Sequence, residues 1–287
     1  MNTIGTRVYR DKYRQAVLDS ALRNAMVAEK VCEVDRSDVK NIQNPYQGQP
    51  TATVQALAGT YTVSSFTTTN EALDVDDEVI YAEHIFDFEE SLSRFDLFAS
   101  RFDELSYAVA IAIDLWVLNN LLEDGTGTYT TPVGGFTTAS NINVIMSNLI
   151  SKVAGYADMY KGLFLVIENT DIPGFIQAQA TNGFSFADAA LKNGFMTNYM
   201  GVDVYVVRTG TFQDETTTTV SGTKTWTNDG HRVFGVKNVT TYAAPRGIKF
   251  EEKPVTLKTG VELVVYGYVG FKAWNQKKAL IVDITLA

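Results

Sequence analysis

The chain has 287 residues, 45% of them hydrophobic and 20% charged, which is ordinary for a folded globular protein with a substantial core. Its formal net charge of −9 argues against a dedicated nucleic-acid binder, because affinity for phosphates comes from Lys and Arg. The single cysteine, Cys32, excludes an intrachain disulfide and suits a reducing compartment.

The first 90 residues predict one helix followed by an extended segment. Residues 7–31 place apolar side chains at every third or fourth position, which favours an amphipathic helix. Residues 33–50 are polar, with neither a helical nor a strand period. Thr, Val and aromatic residues in 51–73 favour strands and turns. Because so little of this stretch could form a core, we predict an extended hairpin over 46–90 that is stable only when paired or covered.

A long helix is predicted over residues 92–123, spanning roughly 45–50 Å at ~1.5 Å per residue. We call it the spine helix. Its apolar positions form two stripes, the second confined to the later half. The first stripe is Phe95, Phe98, Phe102, Leu105, Val109, Ala112 and Trp116, and the second is Tyr107, Ile111, Leu115, Leu118 and Leu122.

Three further expectations concern the end of the spine helix. Asp114 falls in its buried half, so the carboxyl needs a hydrogen bond or an arginine partner, or must be neutral. The uninterrupted apolar run, Tyr107 to Ile113, is far shorter than the roughly 18 residues of a membrane span, so we expect no membrane contact. The sequence "EDGTG" then ends the helix and begins a loop.

Helices and strands alternate in the rest of the chain. "NINVIMSNLISKVAGYA" predicts a helix with Ile142, Ile145, Leu149 and Val153 in line, and "GLFLVIEN" predicts a buried strand. "TDIPGFIQAQ" and "SFADAALKNGF" predict short helices, and "GVDVYVVRTG" predicts a strand. A Thr-rich hairpin or loop follows, and from residue 231 the pattern is mostly strand. The predicted fold class is α+β.

The charges are unevenly distributed. Residues 1–30 hold six basic and three acidic side chains (net +3), 31–124 hold four and eighteen (net −14), and 125–287 hold fourteen and twelve (net +2), summing to −9. A solvated acidic face is one interpretation. The other is head-to-tail self-complementarity, in which the acidic segment of one copy lies on the basic segment of another. The candidate contact residues are Asp74, Asp76, Asp77, Glu78, Arg7, Arg10, Arg14, Arg246, Lys249 and Lys253.

No motif for catalysis or metal binding is present. His84 and His231 are far apart, no Cys-x-x-Cys or Gly-x-Ser-x-Gly occurs, and Cys32 lacks a protease signature. The acids of "DVDDE" could offer oxygen ligands to Ca²⁺ but lack the pattern of a calcium loop. We therefore predict no catalytic, cofactor-binding or metal-ligating residue. A soluble enzyme with an unrecognised site stays a remote alternative.

The order of these elements resembles the major capsid proteins of tailed bacteriophages, the Hong Kong 97-type fold that encapsulin shells share. The stretch "EALDVDDEVIYAEHIFDFEESLSRFD" before "ASRFDELSYAVAIAIDLWVL" is similar to their passage from extended loop to spine helix. "LLEDGTGTYTTPVGGF" resembles the exit from that helix. "GFMTNYMGVDVYVVRTG", "RVFGVKNVTTYAA" and "GFKAWNQKKALIVDITL" resemble the later strands, so the likeness spans about residues 30–287.

The resemblance implies both an organisation and a function. The implied parts are an N-terminal arm with a helix (1–45), an extended loop (46–90), a peripheral domain (91–140 and 236–271) and an axial domain (141–235 and 272–287). The implied function is a structural subunit that assembles as hexamers and pentamers into an icosahedral head around double-stranded DNA. The alternative within this fold is an encapsulin shell. A separate scaffolding protein and a portal are expected partners, with assembly in the bacterial cytoplasm and a final location in the virion capsid.

Overall fold

A computed structural model of the chain describes residues 26–44, 54, 71–85, 97–181, 195–212, 214–220, 223–227, 230–254 and 261–287. The helices described are α1 (Ala28–Val31), α2 (Leu97–Asp124), α3 (Ala139–Val153) and α4 (Ile172–Thr181). The strands are β1 (Glu33–Asp35), β2 (Asn41–Gln43), β3 (Ala72–Asp74), β4 (Asp77–Ile85), β5 (Gly127–Thr130), β6 (Leu163–Glu168), β7 (Phe195–Tyr199), β8 (Val202–Val207), β9 (Asp214–Val220), β10 (Thr223–Thr227), β11 (His231–Val236), β12 (Thr240–Ala243), β13 (Lys249–Pro254), β14 (Val261–Ala273) and β15 (Ile281–Thr285).

Some predicted features lie outside these residues. They are the helix over residues 7–25, the tip of the extended loop, the start of the spine helix, and the helix in "SFADAALKNGF".

One sheet is organised around the long strand β14. Strand β14 pairs antiparallel with β12 through its last residues, and with β13 and β4 through its first residues. Strand β1 adds to β12 in parallel. Nine residues of the predicted extended loop, Asp77 to Ile85, therefore belong to this chain's own sheet. Alternation continues just before them, since Leu73 and Val75 are buried while Asp74 and Asp76 are exposed.

The second sheet has six strands in the order β5-β15-β11-β6-β8-β7. Every side chain of β6 is buried, as the apolar run "LFLVIE" predicts. Helix α3 buries the predicted line of Ile142, Ile145, Leu149 and Val153. Helix α4 follows next to it, where Phe175 stacks on Phe136 with ring centroids 5.7 Å apart. The helices and the sheet together enclose one layer of core.

Helix α2 is the predicted spine helix, and it contacts strands of both sheets. Its buried line runs at every fourth residue, through Leu105, Val109, Ile113, Val117 and Leu121. The predicted stripes were therefore wrong in part, because Ala112 and Tyr107 are exposed and Trp116 is only partly buried. Nearly every residue of 107–118 is apolar, so no polar position marks which side faces the sheets.

The segment Glu104–Asp124 is, among the described residues, long and apolar enough to cross a membrane. In this fold it packs between the two sheets as a core helix, with Ile113, Val117 and Leu118 fully enclosed.

Two local predictions were also wrong. Residues 33–35 and 41–43, predicted to be irregular, form β1 and β2, because each has a partner strand that is distant in the sequence. Residues 127–130, predicted as a loop, form β5, which pairs in parallel with β15. These four residues therefore belong to the six-stranded sheet. The Thr-rich segment forms the antiparallel pair β9 and β10.

Candidate functional site

The carboxylate of Asp114 in α2 holds the beginning of α1. The backbone N–H of Val27 donates to Asp114 Oδ2 at 3.0 Å, and that of Ala28 donates to Oδ1 at 2.8 Å. Burial raises the pKa of Asp114 to about 7, although the two backbone hydrogen bonds and nearby Lys30 act in the opposite direction. The sequence predicted that this acid needs a partner, and the structure supplies one from the backbone. We call this contact the Asp114 clamp.

The segment held by the clamp is also fixed on its other side. The thiol of Cys32 accepts a hydrogen bond from the Thr240 hydroxyl at 3.2 Å, and β1 begins one residue later against β12. Burial raises the pKa of this thiol to about 12, so it stays protonated and inert at neutral pH. Residues 26–35 are therefore fastened to the spine helix and to the first sheet.

The four acidic candidates lie close together on the surface. Asp74 ends β3 and accepts a hydrogen bond from the Asn41 side chain at 2.7 Å. Asp76 follows it, and Asp77 and Glu78 begin β4; all four side chains are exposed. The buried side chains of Leu73 and Val75 anchor this stretch against Trp274, which holds the acids outward. Asp74, Asp76, Asp77 and Glu78 together form an exposed acidic rim.

The basic candidates in the described residues lie in β13 or just before it. Arg246 pairs with Asp38 at 2.8 Å, and Lys253 pairs with Glu251 at 3.2 Å. Lys249 begins β13. Both described ion pairs are highly exposed and contribute little to stability on their own. Arg7, Arg10 and Arg14 lie outside the described residues.

The structure brings Glu78 and Lys249 to one face of the first sheet, where they are paired with Tyr268 and Tyr266. Asp77 is paired with the buried Val269 on the opposite face, and Asp74 belongs to the pair formed by β2 and β3. A groove of about 420 Å³ lies beside Arg246 and is lined by Asp38, Lys40, Val75, Arg246 and Tyr268 among others. Sequence reasoning missed Tyr268 and Ile80, which are 51% and 61% exposed on this face. Both alternate sets of residues in "VVYGYV" are apolar, so the sequence cannot indicate which set faces outward.

A buried charged cluster at the end of β6 was also missed. Arg232 contacts Asp171 through Nε and Glu168 through Nη2, the latter at 3.4 Å. Glu168 also accepts a hydrogen bond from the Gly210 backbone at 2.9 Å. The contacts brace the loop after β8 against β11, so the cluster has a structural explanation. Among the described residues, no group of His, Cys, Asp and Glu is arranged to hold a metal ion.

Comparison with known proteins supports one fold. No family model and no curated protein sequence matches the chain. Solved structures do match over almost the whole length. The capsid of the cyanophage P-SCSP1u has a TM-score of 0.66 at 14% identity, covering 92% of this chain and 88% of that one. The mature capsid of bacteriophage PhiM1 has a TM-score of 0.65 at 10% identity, covering 91% and 87%.

A virus-like particle from Pyrococcus furiosus is also similar, with a TM-score of 0.61 at 9% identity over 96% of this chain and 99% of that one. The chain therefore has the fold of phage capsid proteins, and the predicted α+β capsid fold is confirmed. At these identities the likeness concerns the fold, and function needs a separate argument.

Proposed function

We propose that this chain is the major capsid subunit of a tailed bacteriophage, a structural protein that assembles into an icosahedral head enclosing double-stranded DNA. One observation carries the proposal. The fold match to phage capsids covers about nine tenths of both chains, so it includes the sheets, the spine helix and their connections. A shared core alone would leave large unmatched insertions in one partner.

The described surface supports this function. This chain displays charges of both signs and large apolar side chains on one sheet face. Such a face suits repeated contacts between copies. The excess of acid over base suits a container, because a strongly basic interior would hold DNA in place and prevent its movement.

The proposal includes partners and a location. Copies would associate as hexamers and pentamers, with a separate scaffolding protein directing closure and a portal at one vertex. The acidic and basic candidates named from the sequence would act in contacts between subunits. Assembly in the bacterial cytoplasm fits a chain whose sole thiol is buried and unpaired.

A second candidate is a shell without a genome, such as an encapsulin. The similarity to the Pyrococcus furiosus virus-like particle favours it, since that match covers 99% of that chain. The phage proposal ranks first because the capsids of cyanophage P-SCSP1u and of PhiM1, with TM-scores of 0.66 and 0.65, are more similar to this chain than that particle, with 0.61.

Electron microscopy of the purified chain, combined with sedimentation velocity, tests the proposal. We expect closed particles or, without a scaffolding protein, capsomers, open sheets and tubes. Nuclease-resistant DNA in particles from infected cells distinguishes a phage head from an empty or enzyme-loaded shell. A 31.6 kDa monomer at every concentration would contradict both candidates.

A further inference from the structure

The outer face of the sheet formed by β13, β14 and β4 carries large apolar side chains. Residues that are paired in an antiparallel sheet project on the same side. Tyr266 is paired with Lys249 on one neighbouring strand and with Ile80 on the other, so these three side chains form a row. Tyr268 is paired with Glu78 in the next row. The opposite side of the sheet holds the buried Leu263 and Val265.

Charge changes sign across this outer face. Arg246 and Lys249 lie at the β13 side, while Asp76 and Glu78 lie at the β4 side. The half-buried ring of Tyr266 and the exposed ring of Tyr268 lie on the central strand β14, and the exposed side chain of Ile80 lies beside them on β4. Two acids on the β13 side are already engaged within the chain: Asp38 pairs with Arg246 at 2.8 Å, and Glu251 accepts a hydrogen bond from the Tyr266 hydroxyl at 2.6 Å and pairs with Lys253. The face therefore runs from basic through aromatic to acidic.

The backbone at Arg246 is strained. The N–H of Gly247 donates to the Ala244 carbonyl at 3.1 Å, which closes a turn with Pro245 and Arg246 at its centre. Arg246 has φ = 63°, a left-handed conformation that glycine or asparagine normally occupies in such a turn. Arginine is strained in this conformation, and the exposed ion pair with Asp38 contributes too little energy to explain why it occupies the position. A contact between Arg246 and another molecule would explain it better.

We propose that this face is an interface between two copies of the chain, in which Arg246 and Lys249 of one copy contact Asp76 and Glu78 in the acidic rim of the other. The inference rests on the proposed function and names the surface that carries one of its contacts. A face that is basic at one side and acidic at the other becomes complementary to itself when a second copy is turned around. The central tyrosines have the composition of an interface core, which favours aromatic residues inside a polar rim.

Charge reversal and rescue test this interface. The variants are Arg246→Glu, Glu78→Lys and the double variant carrying both, with Lys152→Glu on the exposed side of α3 as the matched control. We expect each single reversal to lower the assembled fraction in sedimentation velocity at least ten-fold. The double variant should recover most of it, because each exchanged charge again meets its opposite on the neighbouring copy. Lys152→Glu should assemble like the wild type.

Arg246→Gly separates the interface from the fold. Glycine accepts the left-handed backbone, so the melting temperature should stay close to that of the wild type while assembly is lost. Wild-type chain that never assembles would overturn the proposed function and this interface together. If the wild type and both single-reversal variants all form shells, the proposed function stands and this interface is overturned. The interface is also overturned if the double variant assembles no better than the single variants.

Discussion

Asp114 joins two segments that lie 87 residues apart in the sequence, the spine helix and the residue preceding α1. The sequence could predict that this acid is buried and needs a partner, because only apolar residues surround it in the helix. It could not predict which partner, because a backbone N–H has no sequence signature. Through these two hydrogen bonds, a single buried carboxyl fixes the position of the residues at the beginning of α1.

The raised pKa of Asp114 predicts how stability depends on pH. The folded state binds this proton up to about pH 7 and the unfolded state only to about pH 3.8, so stability is lost as pH rises between these values. We expect the free energy of unfolding to fall by about 2–3 kcal/mol between pH 5 and pH 8. Asp114→Asn should lack this part of the dependence, as measured by urea unfolding across the pH range. A constant difference between wild type and Asp114→Asn would contradict the assignment.

Close packing between elements, rather than their propensities, decides where the helices lie. Gly174 in α4 approaches the backbone of the Gly135–Thr137 turn so closely that an added Cβ would lie 1.9 Å from the carbonyl oxygen of Phe136. The pattern "TDIPGFIQAQ" predicted a helix because of its start signals and apolar spacing, and α4 confirms it. The need for glycine at this contact could not be predicted, because it depends on the turn that precedes α3.

Gly174→Ala should therefore destabilise the fold by about 2–3 kcal/mol, since either α4 or the turn must move to make room. Gly155→Ala is the matched control, because nothing lies within 4 Å of a Cβ at that position. Chemical unfolding of both variants measures the difference. Equal free energies of unfolding for the two variants would show that α4 and the turn can move apart without loss of stability.

At the scale of the whole molecule, the sequence identified the fold better than the surface. Helix α3 and strand β6 could be predicted from their apolar residues. Burial on one side gives α3 an apolar residue at every third or fourth position, and burial on both sides gives β6 a continuous apolar run. The short strands β1, β2 and β5 could not, because each exists only through a distant partner. The uneven charge pointed to Asp74, Asp76 and Asp77, and the structure places all three on one exposed rim.

Reversing the charge of that rim tests its part in assembly. The triple variant Asp74→Lys, Asp76→Lys and Asp77→Lys should fail to form particles while keeping the circular dichroism spectrum of the folded monomer. Substitution by Asn at the same positions should have an intermediate effect, because it removes attraction without adding repulsion. Micrographs and particle yield measure the outcome. A triple Lys variant with the yield of the wild type would remove the electrostatic part of the proposal.

The burial of Cys32 has a practical consequence. This thiol is the only one in the sequence, and it directly follows α1, whose first residues Asp114 holds. A maleimide reagent can modify it only when residues 26–32 detach, since both enclosure and protonation protect the sulfur. The rate of labelling therefore measures how often residues 26–32 detach. Comparing free subunits with assembled particles would show whether neighbours slow it, with no engineered probe.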